Sequence, residues 1–180
     1  MTIEILIGSP RKNGNTFILS NHLNDLLSRD GAQSSVSYLY DYEIKPCADC
    51  RACKSGSMKC VLKDDAHLLF DRIEAADAIV IGTPIYWFST TAKTKLLIDR
   101  LRPYFANKRL NGKKGAVILS AGSGDPDCDL TIEMFKRIFD SLGIKNIGAV
   151  TAEAYDAGDV IDNEDAIKNI FTLSENIIKS

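Results

Sequence analysis

Two stretches of this chain carry side chains whose types and spacing could do chemistry. The first is Gly8-Ser9-Pro10-Arg11-Lys12-Asn13-Gly14-Asn15-Thr16, set between an apolar run at 3–7 and a helical pattern over 17–27. The first N–H groups of a helix lack intrahelical partners and lie at the positive end of its dipole, so a loop that feeds a helix in this way suits a phosphate. Gly8 and Gly14 let the backbone approach an anion closely. Ser9, Asn15 and Thr16 can add side-chain donors, and Arg11 can grip a phosphate through two N–H groups. Neither G-x-G-x-x-G nor G-x-x-x-x-G-K-[ST] is present, and the plainer alternative is a polar strand-to-helix turn with no ligand. The second stretch holds four of the five cysteines, spaced Cys47-x2-Cys50-x2-Cys53-x6-Cys60. Three thiolates so spaced can converge on neighbouring corners of a compact iron–sulfur cluster, and the fourth can reach the remaining iron. Structural zinc in a tetrahedral site and a set of free thiols are the competing readings. A bacterial ferredoxin run has a shorter last gap and a proline after it, where this chain has Val61. Cys128 stands apart, read either as a small buried apolar residue or as a thiol beside a ligand.

The elements that must position these groups follow from periodicity. Strand patterns fall at 3–7, 36–40, 78–82, 115–119 and 147–150. Helical patterns fall at 17–27, 66–75, 91–101 and 130–142 and within 161–178, with glycine stops at Gly31 and Gly143. Strand and helix alternate, which predicts an α/β fold: a doubly wound five-stranded parallel sheet, order 2-1-3-4-5, with helices on both faces. The expected organisation is a single domain over 1–180, interrupted at about 44–64 by a cysteine-rich insertion; a segment that long without periodicity is usually functional. Ligands in such sheets bind beyond the carboxyl ends of the strands, at the switch point. That rule gathers three loops, 8–16, 83–90 and 120–127. They supply phosphate donors, the aromatic run Tyr86-Trp87-Phe88, and the glycine-rich backbone of Gly122, Ser123 and Gly124. Aromatic clusters are often core anchors. Beside phosphate donors at a ligand-binding face, however, they suggest a phosphorylated planar cofactor, and flavin mononucleotide (FMN) fits best. A receiver domain would need carboxylates where Gly8-Ser9 and Gly82-Thr83-Pro84 stand, and a low-molecular-weight phosphatase would need C-x5-R after the first strand.

Composition narrows the classes further. The chain has 180 residues, 45% hydrophobic and 26% charged, with a net charge of -2 and no basic stripe, so nucleic acid is not expected as a partner. No apolar run approaches the roughly 20 residues of a membrane span. Met1-Thr2-Ile3-Glu4 does not open a secretory signal, and a cytoplasmic location is expected. In that setting five cysteines argue for metal or redox chemistry rather than a disulfide framework.

The loop at 8–16 resembles the FMN phosphate loop of the NAD(P)H-dependent FMN reductases of the flavodoxin-like superfamily. Thr83-Pro84-Ile85-Tyr86-Trp87-Phe88, followed by Lys95-Leu96-Leu97-Ile98-Asp99-Arg100, is similar to that family's second flavin loop and its helix. The cysteine spacing resembles the iron–sulfur flavoprotein branch. The resemblance covers nearly the whole chain. It implies that Ser9, Arg11, Asn13, Asn15 and Thr16 hold the FMN phosphate and that Pro84, Ile85, Tyr86 and Trp87 line the isoalloxazine and ribityl chain. Gly122, Ser123 and Gly124 would cover the other edge, and Cys47, Cys50, Cys53 and Cys60 would ligate a [4Fe–4S] cluster. It further implies NAD(P)H as electron donor, a small-molecule or protein acceptor, and a homodimer or homotetramer. The protein's part is to position the rings, so no catalytic acid or base is named. A non-enzymatic flavodoxin-like carrier and a flavin-free interaction module are the alternatives.

Overall fold

The computed structural model describes residues 1–179. Five strands, β1 (Thr2–Ile7), β2 (Gln33–Tyr38), β3 (Ala78–Pro84), β4 (Lys114–Ala121) and β5 (Lys145–Glu153), form one sheet in the order β2-β1-β3-β4-β5. All four pairings are parallel, as the alternation of strand and helix predicts. Six helices accompany them: α1 (Asn15–Arg29), α2 (Ala66–Ala75), α3 (Ala92–Arg100), α4 (Arg102–Asn107), α5 (Asp125–Leu142) and α6 (Glu164–Lys179).

The central strands read as unbroken apolar runs because both of their faces are covered. Ile3, Ile5 and Ile7 of β1, with Val80 of β3 and Ile118 of β4, pack against Leu19, Leu23 and Leu27 of α1 and Ile170, Leu173 and Ile177 of α6. The residues between them, Leu6, Ile79, Ile81, Val117 and Leu119, face Leu69 and Phe70 of α2, Leu97 of α3 and Phe135 and Phe139 of α5. The two-residue period of each strand thus sorts its side chains into two cores. Among the described residues no helix is long and apolar enough to cross a membrane.

Three boundaries depart from the periodicity. β2 begins earlier than expected and stops at Tyr38, and residues 39–41 form a 3-10 turn. α5 begins at Asp125, inside the segment read as loop; Pro126 lies in its first turn, where the fixed φ of proline suits the helix and its missing N–H costs nothing. The same allowance explains α4, which the periodicity missed: the chain restarts a helix after Leu101 with Pro103 in the first turn.

Candidate functional site

At the carboxyl ends of the strands lies a cleft of about 470 Å3, within the usual range for a small-molecule site. Three loops line it: Ser9, Arg11, Gly14, Asn15 and Thr16 from the loop after β1, Pro84, Ile85 and Tyr86 from the end of β3, and Ser120, Ala121, Gly122 and Ser123 from the end of β4. Main-chain bonds hold these loops in register. Gly8 N–H donates to Gly82 O at 2.7 Å, and Ile85 N–H to Ser120 O at 2.8 Å. A chain of hydroxyls adds a second set of ties. Thr91, which caps α3, donates to Gly8 O at 2.6 Å, and its N–H donates to Thr83 Oγ1 at 3.2 Å. Thr16 Oγ1 and Ser120 Oγ share a buried hydrogen bond of 2.7 Å.

The two loop glycines serve close packing. A Cβ at Gly8 would lie 1.8 Å from Thr94 Oγ1, and one at Gly14 would lie 2.9 Å from Arg11 Cβ. Ser9 Oγ folds back, accepting from Arg11 N–H at 3.2 Å. Arg11 itself is exposed at the cleft and, among the described residues, makes no ion pair. Asn15 and Thr16, which open α1, line the same cleft, and the first N–H groups of a helix lack intrahelical partners, so the cradle combines room, donors and one uncompensated cation, which is the chemistry a phosphate needs.

Twelve residues were expected at the cofactor, and the cleft lining gathers nine of them: Ser9, Arg11, Asn15, Thr16, Pro84, Ile85, Tyr86, Gly122 and Ser123. Asn13, Trp87 and Gly124 do not line it. Asn13 is exposed within the loop, and Gly124 caps α5 with φ +67. Trp87 is 94% exposed. It and Phe88 adopt left-handed φ values of 52° and 59°, and Tyr86 and Ser89 exchange main-chain hydrogen bonds of 2.8 and 3.2 Å across them. That is a two-residue turn of the I′ type, normally built from Asn and Gly. Two bulky residues there cost about 1–3 kcal/mol each. The lining also includes Asp127, Ala154 and Tyr155, which the sequence reading did not name. Tyr155 follows β5, outside the three loops of the switch point; an aromatic at the carboxyl end of a neighbouring strand was the available signal.

The four clustered cysteines line one small recess of about 20 Å3 together with Arg102. Among the described residues, no three metal-binding side chains converge as a ligand set. The donor set of four thiols fits an iron–sulfur centre or zinc. A buried ion pair ties the two ends of the cysteine loop, at Lys45 and Asp64. Arg100 Nη1 donates to Asp64 Oδ2 at 2.5 Å and to Lys45 O at 2.9 Å, and Nη2 donates to Asp64 Oδ1 at 3.2 Å. The same carboxylate accepts Lys45 N–H at 2.8 Å and Ala66 N–H at 3.1 Å. Burial alone would raise the Asp64 pKa, but the bonds from Arg100, Lys45 and Ala66 outweigh it and hold the carboxyl below its ordinary value. Arg100 Nε is buried and, among the described residues, has no hydrogen-bond partner, and the guanidinium lies near enough to Cys60 to interact with its sulfur. Cys128 is a core residue on α5. Burial, with Asp125, Asp127 and Asp129 nearby, pushes its thiol up to about 11, so it stays protonated at neutral pH.

The model of the NADPH-dependent FMN reductase family matches residues 1–156. An iron–sulfur flavoprotein of Methanocaldococcus jannaschii is 31% identical over 77% of this chain and 72% of its own length. A Bacillus subtilis protein named as an NAD(P)H-dependent FMN-containing oxidoreductase is 30% identical over 93% of each chain. Among solved structures, an NAD(P)H:quinone oxidoreductase from Methanothermobacter marburgensis superposes with a TM-score of 0.75 at 19% identity, covering 98% of both chains. That likeness establishes the flavodoxin-like fold. Fold, cleft and family match agree, and the chain belongs to the NADPH-dependent FMN reductase family of oxidoreductases.

Proposed function

We propose that the cleft binds FMN, with the phosphate cradled by the loop of Ser9, Arg11 and Thr16 and the opening N–H groups of α1. Pro84, Ile85, Tyr86, Gly122 and Ser123 would border the rest of the nucleotide. The observation that carries this reading is that one cleft is lined both by the cationic, donor-rich loop after β1 and by the aromatic and glycine loops after β3 and β4. When bound, FMN supplies the two-electron chemistry, taking a hydride from NAD(P)H and passing electrons to an acceptor. The chain's own residues bind and orient the nucleotide. The acceptor is a small molecule or a protein, and the working unit is a cytoplasmic homodimer or homotetramer. The chain acts as one domain, with the cysteine-rich 44–64 as an insertion in it.

A second electron centre is proposed for the cysteine loop, with Cys47, Cys50, Cys53 and Cys60 holding a [4Fe–4S] cluster. The shared recess of all four cysteines supports this, as do the buried guanidinium beside Cys60 and the iron–sulfur names of relatives. The deciding experiment is a visible spectrum of anaerobically purified protein with iron, sulfide and zinc analysis, followed by stopped-flow mixing with NADH and with NADPH. A flavin spectrum with broad added absorption and about four irons per chain supports both centres. A flavin spectrum without metal leaves a plain FMN reductase. Flavin that only a protein donor reduces would turn the reading toward an electron carrier, and colourless protein that takes up no FMN would overturn it.

A further inference from the structure

Asn15 stands at the first turn of α1, where a phosphate donor is expected, yet both ends of its buried amide are engaged elsewhere. Nδ2 donates to the carbonyl of Asp156 at 2.7 Å, and Oδ1 accepts the N–H of Gly158 at 2.9 Å. These two bonds are the pair that a neighbouring main chain would make, so the amide closes the 154–158 loop as a strand partner would. Other ties stiffen the same loop. The Asp159 carboxylate accepts Tyr155 N–H at 2.8 Å and Asp156 N–H at 2.7 Å. Ala154 N–H donates to Ala121 O at 2.8 Å. Gly158 takes φ +102, a conformation that side-chain-bearing residues rarely adopt.

What this clasp presents is Tyr155. Its ring is 82% exposed, lines the cleft, and lies against Gly122, where an added Cβ would sit 3.3 Å from the ring's Cδ2. The ring is therefore held at the cleft by its backbone, and its outer surface is free for a ligand.

We propose that Tyr155 is a wall of the flavin-nucleotide site and that Asn15 is the positioning residue that sets it there, rather than a side-chain ligand of the phosphate. The Asn15 main-chain N–H remains available to an anion. This inference rests on the FMN reading of the cleft.

The test is a double-mutant cycle on FMN affinity, read by equilibrium dialysis, with riboflavin as the phosphate-free comparison. Tyr155→Ala and Asn15→Ala should each weaken FMN about tenfold, close to 1.4 kcal/mol. The double variant should bind no more weakly than the worse single one, because the second change has nothing left to displace. Asn15→Ala should weaken riboflavin by the same factor as FMN. Additive losses, an effect of Asn15→Ala on FMN alone, or a Tyr155→Ala variant that binds as wild type would each overturn the proposal. If Asn15→Ala does not fold, Asn15→Ser serves in its place, and Tyr155→Ala, at an exposed position, tests the wall on its own. Wild-type protein with no affinity for FMN would instead sink the flavin reading beneath it.

Discussion

The cleft and the cysteine loop are held in place by opposite means. Around the cleft, strand ends tie to one another through main-chain bonds, Gly8 to Gly82, Ile85 to Ser120 and Ala154 to Ala121. Buried hydroxyls from Thr16, Thr91 and Ser120 complete the frame. Its shape is a property of the sheet and exists before any ligand arrives. The cysteine loop has no strand to lean on. Inside it main-chain bonds are short-range, such as Lys54 to Arg51 and Met58 to Ser55, and Asp49, Arg51 and Met58 all take left-handed φ. Its ties to the helices run through side chains: a buried knot at the base, Asp64 with Arg100 and Lys45, and exposed contacts of Arg102 with Asp49 and of Asn107 with Met58 O nearer the tip. A site preorganised by the sheet suits a dissociable nucleotide, and a site with a fixed neck and an adaptable tip suits a centre assembled on the thiols.

The contrast can be broken most forcefully at the knot. Asp64→Ala leaves the Arg100 guanidinium, fully buried, without its carboxylate partner, and should cost about 3–5 kcal/mol in urea unfolding; a loss under about 1 kcal/mol would mean that the base is not what orders the loop. The same pair sets an acid limit. Because Asp64 is held below its ordinary value of 3.8 in the fold, its contribution is complete above that pH and drains away as pH falls below it, and Asp64→Ala should flatten this acid slope. Next in size is Gly8→Ala, whose methyl would collide with Thr94 Oγ1; about 1–3 kcal/mol should be lost, with FMN affinity falling while iron content holds. Thr16→Val removes the buried hydrogen bond to Ser120 Oγ and should cost about 1 kcal/mol. Cys50→Ser should leave stability and FMN binding near wild type while removing iron, and unchanged iron content would end the iron–sulfur reading.

How much of this was legible in the chain depends on the range of the interaction. α2 at Ala66–Ala75 was readable residue for residue, and so was the order of the sheet, because periodicity and alternation are local signals. The donor-rich loop at 8–16 was readable as part of the cleft lining because its donors are contiguous. Asp64 stands just before α2 and accepts Ala66 N–H, a local role; its larger role depends on Arg100 in a different helix, and no local pattern announces that. Asn15 shows the same limit, its residue type fitting a phosphate ligand while its amide is spent on Asp156 and Gly158. Tyr155 was missed because it follows β5, an edge strand whose alternating half-exposure blurred its boundaries.

Trp87 has a consequence of a different kind. It is the chain's single tryptophan, and it projects into solvent from a tight turn whose flanking Tyr86 lines the cleft. All indole emission from this protein therefore originates at one point beside the candidate ligand. In the empty protein that emission should be red-shifted, as for indole in water. A flavin absorbs where indole emits, so filling the cleft should dim it by energy transfer. The protein thus carries its own optical gauge of occupancy, readable without a label.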